Sequence, residues 1–328
     1  MTSAVAIRRE HIVARYDAQA VAQLVELVPL RYAHASDDGL PAHVRAASAL
    51  RQFRNRLVIV QDDVNALAVR DARGALRPVL LPADASGGRV FDDAHGNKGD
   101  KLDLEACVTL PDGRLLAFGS GSTTKREQLV AWSGGQEPPS IIEAASFYRE
   151  LRAAVTGGAA RLNVEGAVVS RERLRLFHRG NDVRDAGRAS SNAIADVECR
   201  EFVAWLDGGA ANPRIVKVTT VDLGDVEGIP FGFTDAVALD DERIVVLACA
   251  EDSAGAISDG AVLGCRVGLL DARGLCLADV YDSSGARTRL KLEGIERRVG
   301  SSIEFDVAVD VDLPAVPAQL GRLIWDWR

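Results

Sequence analysis

Apolar residues in this chain come in short runs rather than helical stripes. Five times, a strand-like segment opens on a polar residue and passes through a turn carrying Asp, Gly or Arg. A more strongly apolar segment follows and ends in a polar cluster. The copies read Ser48-ALRQF then RLVIV with Gln61, Asp62 and Asp63; Glu105-ACVTL then RLLAFGSGS; and Glu165-GAVVS then RLRLFHRGN. The last two are Thr234-DAVAL then RIVVLACAED, and Glu293-GIERR then IEFDVAVDVD. Helical spacing is confined to Ser140–Thr156 and, more weakly, Ala18–Val28.

The leading residues Ser48, Glu105, Glu165, Thr234 and Glu293 stand 57, 60, 69 and 59 residues apart. Blades of a β-propeller repeat at about 40–50 residues, and loop insertions account for the excess. The expectation is therefore an all-β chain, a five-bladed β-propeller spanning residues 1–328 as one domain. A sixth, degenerate blade from residues 5–40 is the alternative. Only three strands follow Glu293, so a strand from the N-terminus, for example Val5–Tyr16, is expected to complete the last blade and close the ring.

In such a ring the start of each first strand and the end of each second strand share one face. The inner set is Ser48, Glu105, Glu165, Thr234 and Glu293. The outer set is Asp62 and Asp63, Ser120 and Ser122, Arg179 and Asn181, Glu251 and Asp252, and Asp310 and Asp312. Three carboxylates held close around one axis, with two hydroxyls, are costly in a partly desolvated channel; a bound cation resolves the repulsion, and the alternative is a water-filled pore in which the glutamates bond backbone amides. Calcium suits the set, because it takes about six to eight oxygen ligands in loose geometry. Zinc does not, since no His or Cys is included. Lys101 and Arg161 lie four residues before their glutamates and Lys291 two before its own. Even spacing keeps them on the glutamates' face, where, with Arg179 and with Lys98 or Lys125, they would either hold a small anion or simply balance the glutamates' charge. Of His178 and Arg179, neighbours on a strand, only one can face the site; Arg179 is favoured and His178 reads as packed.

A net charge of −8 argues against nucleic acid as partner. No apolar run approaches the ~18 residues of a membrane helix. The five cysteines, Cys107, Cys199, Cys249, Cys265 and Cys276, lack metal-ligand spacing and read as buried free thiols, which suits a cytoplasmic location.

The inner order of hydroxyl, carboxylate, carboxylate, hydroxyl, carboxylate resembles the calcium-activated nucleotidases, or animal apyrases, which are five-bladed propellers with one axial calcium. Asp62-Asp63, Arg179, the CAEDSAG segment with Glu251 and Asp252, and KLEGIE with Glu293 are similar to motifs of that family. The Glu-Gly pairs also resemble the bacterial esterase-like phytase group. Ser48 is followed by Ala49 where the nucleotidases carry an acidic residue.

The resemblance implies a calcium-dependent hydrolase of a phosphate ester or phosphoanhydride. In it Ser48, Glu105, Glu165, Thr234 and Glu293 would hold the metal, and Asp62, Asp63 or Glu251 would act as general base. Arg179 would stabilise developing charge, with Lys101, Arg161, Lys291 and Asn181 binding substrate. The alternative is a non-enzymatic ligand-binding or scaffold propeller with a structural calcium. A glycosidase built on paired axial carboxylates is a third option.

Overall fold

The computed structural model describes residues 6–34, 39–158, 160–180, 191–252 and 260–327. About half of the chain, 51%, is strand and 9% is helix. Alternating strands cut by tight Asp and Gly turns leave little room for anything else. Asp71, Asp240 and Asp271 each accept backbone N–H bonds in such turns.

The strands form up-and-down antiparallel runs in sequence order. The first sheet comprises Ala47–Phe53, Arg56–Gln61, Ala66–Arg70 and Leu76–Leu80. The second comprises Leu104–Thr109, Leu115–Gly119, Gln128–Trp132 and Ser140–Glu143. The third comprises Val164–Ser170, Arg173–His178, Asn192–Glu198 and Ile215–Asp222. A ten-stranded sheet completes the molecule. One of its halves runs through Ile229–Ala238, Ile244–Asp252, Ala261–Asp271 and Gly274–Tyr281. The other runs through Lys291–Arg297, Glu304–Asp310 and Gln319–Trp325, and the two-residue strands Asp225–Val226 and Arg15–Tyr16 pair at the margins of the first half.

The fourth strand of that second half is Ala22–Pro29, antiparallel to Gln319–Trp325. The segment read as weakly helical, Ala18–Val28, is thus largely strand. Its apolar residues fit either period, and burial of Ala22 and Leu24 against Leu323 and Trp325 decides for the strand. The clasp expected from Val5–Tyr16 goes elsewhere. Arg8–Val13 adds in parallel to Ile215–Asp222 at the outer edge of the third sheet. Of the segment 140–156, residues Ser140–Glu143 form a strand and Ala145–Thr156 form helix α1. A second helix, α2 (Cys199–Leu206), was not expected. Its Phe202 and Trp205 pack on Phe147 of α1, over the second and third sheets.

The core lies between sheet faces. Val58, Val60 and Leu67 of the first sheet meet Cys107, Leu115 and Ala117 of the second. Leu50 and Ile59 of the first sheet meet Ala308 and Leu320 of the ten-stranded sheet. First strands are buried along almost their whole length and pack side by side. Ala47–Phe53 touches Leu104–Thr109, which touches Val164–Ser170. Ile229–Ala238 and Lys291–Arg297 follow, and the last touches Ala47–Phe53 again. The arrangement is propeller-like, with the first strands at its centre.

Close approach at that centre explains two Glu-Gly pairs. A Cβ on Gly166 would meet the Asp235–Ala236 backbone at 3.1–3.3 Å, and one on Gly294 would meet Ala49 and Leu50 backbone at 2.9–3.0 Å.

Two cysteines depart from the free-thiol expectation. Cys249 and Cys265 face each other across neighbouring antiparallel strands, Cα atoms 4.2 Å apart, and form a disulfide. A separation of 16 residues gave no hint of this register. Cys107, Cys199 and Cys276 are free.

Candidate active site

Each first strand carries one register irregularity, and it falls on the expected inner residue. The ladder skips Ser48 between Ala47 and Ala49, Glu105 between Leu104 and Ala106, and Glu165 between Val164 and Gly166. It skips Thr234 between Phe233 and Asp235, and Glu293 between Leu292 and Gly294. A bulge leaves its residue out of the ladder and re-aims the side chain. The five positions are therefore structurally equivalent.

Ser48, Glu105, Glu165 and Glu293 line one cavity of about 600 Å³, together with Asp62, Asp63, Lys101, Arg179, Glu251, Lys291, Asp310 and Asp312. Thr234 does not line it. Its hydroxyl is fully buried and donates to the Leu292 carbonyl at 2.7 Å. Ser48 makes the matching bond to Leu104 at 2.6 Å. Both hydroxyls thus tie their strand to the residue just before the next glutamate. Arg161 is exposed and outside the cavity wall. Asp252 is also outside it, and Asn181 lies outside the described residues. Ser120 and Ser122 stand behind the wall, where they bond Asp103 and Arg126.

Asp103, Arg126, Asn163, Arg45 and Asp92 belong to the wall and were missed. Asp103 and Asn163 each lie two residues before a glutamate, the same spacing that marked Lys291, so strand alternation could have found them. Arg45 and Asp92 come from loops and carry no such signal. Arg45 holds Asp63 at 2.6 Å and Asp92 at 3.0 Å.

The cations are already engaged. Lys101 Nζ lies 2.6 Å from Asp62 and 2.7 Å from Asp103, whose other oxygen accepts from Arg126 at 2.8 Å. Arg179 reaches Glu251 at 2.8 Å and lies 3.7 Å from Glu165. Lys291 lies 3.0 Å from Asp312 and 3.4 Å from Glu293. Gly232 makes room for Arg179, since a Cβ there would meet its Cγ at 2.6 Å. His178 is packed: its Nδ1 accepts from the Asn163 N–H at 3.0 Å, and the Asn163 side chain in turn donates to Glu165 at 2.6 Å.

Acids still dominate. Eleven of the lining residues are Asp or Glu and six are Lys or Arg. Burial pushes Glu165 up to about 8; Arg179 opposes this and Glu293 adds to it. Burial first, then the charges of Asp62, Asp103 and Glu165, hold Glu105 well above the usual carboxylate range, with Lys101 opposing. Asp63 is raised to about 7 by burial and by Asp62, against Arg45. Glu293 is raised by burial, and its Oε2 is buried with no hydrogen-bond partner.

These oxygens fit a hard cation. Asp62, Asp103 and Glu105 each place one within 4.8 Å of the others, and the orphaned Glu293 Oε2 lines the same cavity.

Residues 43–324 match the model of DUF6929, a family of unknown function. The chain belongs to the DUF6929 family. No curated protein matches it significantly. Among solved structures, the DUF6929 chain is similar to a glutaminyl cyclase from Myxococcus xanthus, at 15% identity and a TM-score of 0.41, covering 97% of this chain and 100% of that one. A gluconolactonase from Xanthomonas campestris aligns at 11% identity and 0.41, covering 93% and 97%. A streptogramin B lyase aligns at 9% and 0.40, covering 92% and 98%. No apyrase or phytase is among these matches. Likeness at this level carries no chemistry to the cavity.

Proposed function

We propose that the DUF6929 chain is a five-bladed propeller whose central cavity binds one divalent cation of the calcium class and hydrolyses a small phosphate ester or phosphoanhydride. The two halves of the ten-stranded sheet are read as separate blades, whose ladders meet among the described residues at the pairs Val280–Ala22 and Tyr281–Gln23. Ala22–Pro29 is read as the strand that closes the ring.

One observation carries the functional reading. Three glutamates, each on a bulge of a central strand, converge on a cavity whose acids outnumber its bases eleven to six. Glu105, Glu165 and Glu293 would hold the ion, with Ser48 beside them. A bound cation of this kind neutralises phosphoryl oxygens and lowers the pKa of water. The chain's own residues supply the rest. Asp63 is held by Arg45 through Oδ2, while its Oδ1 is buried without a partner. An acceptor titrating near neutrality suits a general base. Arg179, in place on Glu251, supplies a planar fork for developing negative charge.

The ion pairs of Lys101 and Arg179 favour a second reading, a propeller that binds its ligand without turnover. The deciding experiment screens nucleotides, sugar phosphates and phosphodiesters with and without Ca2+, alongside calorimetry of Ca2+ binding. Ca2+-dependent phosphate release supports the hydrolase. Ca2+ binding with no turnover across the panel moves the reading to a binding propeller, and no Ca2+ binding at millimolar concentration removes the cation.

A further inference from the structure

We infer that Lys101 is a tethered cation, whose ammonium holds the place a metal ion would take between Asp62 and Asp103, beside Glu105. Three carboxylate oxygens within 4.8 Å of one another, on buried Asp103 and half-buried Asp62 and Glu105, are costly to ionise together unless positive charge sits beside them. The Lys101 Nζ supplies it, 2.6 Å from Asp62 Oδ2 and 2.7 Å from Asp103 Oδ1. The lysine is only 7% exposed, so solvent does little to screen the group. Ser120 and Arg126 hold Asp103 from behind, which fixes the acid whether or not the lysine is present.

Two consequences follow. This wall keeps a fixed positive charge at any calcium concentration, and any exchangeable cation is left to Glu105, Glu165 and Glu293, beyond the Asp62–Asp103 pair that the ammonium occupies. Lys101 also has two of its three donors turned to protein carboxylates, so its first task is to organise the cavity. The inference needs only the resting cavity and stands apart from the hydrolase reading.

Removing the ammonium should open a cation site. CaCl2 is titrated calorimetrically into the full chain as wild type, Lys101→Met, Lys101→Gln and Lys101→Arg. The Met and Gln variants are expected to bind one Ca2+ equivalent more than wild type and to gain more in Tm from Ca2+. Lys101→Arg is expected to keep the wild-type stoichiometry. Equal stoichiometry in wild type and both neutral variants overturns the inference. Failure of both neutral variants to fold even in millimolar Ca2+ also overturns it, because the ion is expected to replace the ammonium. Folding only when Ca2+ is present supports it. Wild type that binds no Ca2+ while the neutral variants bind one equivalent sinks the calcium-dependent hydrolase and leaves the tethered cation standing.

Discussion

Arg51 donates from Nη2 to the carbonyl of Cys107, 2.6 Å away on the neighbouring sheet. The same nitrogen lies 3.4 Å from the Ala167 carbonyl and 3.3 Å from that of Ala236, and Nη1 lies 3.4 Å from Glu296. One buried guanidinium therefore touches the first strand of each of the other four runs. It lies two to three residues below the bulged residues along those strands. Asp235, fully buried and 3.6 Å from the same side chain, balances its charge. Replacing Arg51 with Met leaves buried Asp235 bonded to the Ala236 and Ile295 N–H groups but without its ion-pair partner. The expected loss is about 3–5 kcal/mol, the range for breaking a buried ion pair from one side. Urea unfolding measures it, and a loss under about 1 kcal/mol would remove Arg51 as the central pin.

The N-terminal strands should contribute unequally. Deleting residues 1–30 strips Ala22–Pro29 from Gln319–Trp325 and bares an edge over buried Leu323 and Trp325. Deleting 1–14 removes, among the described strands, Arg8–Val13, whose side chains are at most half-buried. The first truncation is expected to abolish cooperative thermal unfolding and the second to lower Tm by a few degrees. Equal melting curves for the two would refute this ordering.

Gly294→Ala should destabilise by about 1–3 kcal/mol, the usual cost of overpacking, because its Cβ would press on the Ala49–Leu50 backbone. Gly264→Ala is the control, as a Cβ there would meet no atom within 4 Å. Comparable losses at both sites would mean that close strand approach is not why glycine follows Glu293.

Stability in chelator should fall with rising pH. Glu165 titrates at about 8 when folded against 4.5 for the ordinary group. Its contribution is complete below about pH 4.5 and is lost as pH rises through about 8. Wild type in EDTA is expected to lose Tm between pH 5 and 8, and Glu165→Gln to lose less. Added Ca2+ should restore more stability at pH 8 than at pH 5, since the ion takes the charged form. A Tm profile identical in wild type and Glu165→Gln would count against the shift.

Arg179→Ala should lower kcat/KM on a phosphate substrate by about two orders of magnitude, as loss of one charge-stabilising donor commonly does. Gly232→Ala should do part of the same damage without touching the charge, by pushing the Arg179 stem aside. Steady-state kinetics with far-ultraviolet circular dichroism as a fold check separate the two. Activity in Arg179→Ala within threefold of wild type would take the arginine out of the reaction.

The alternation of strands and turns, and the five leading positions, were legible in the chain. Strand period and turn residues are local properties, and the repeat sets Ser48, Glu105, Glu165, Thr234 and Glu293 at equal places without reference to three-dimensional contacts. The bulges later fell on those same residues. Asp103 and Asn163 were within reach of the same alternation.

The tertiary structure decided what depends on partners distant in sequence. Ala22–Pro29 chose strand over helix because Leu323 and Trp325 bury its apolar face. Cys249 met Cys265 through the register of two strands, which no spacing encodes. Arg51 reads as an ordinary charged residue in ALRQF, and only the convergence of four other strands makes it a buried pin. Local pattern fixes where a side chain leaves its strand, whereas its neighbours from the other first strands come from packing between segments far apart in sequence, which a single stretch does not contain.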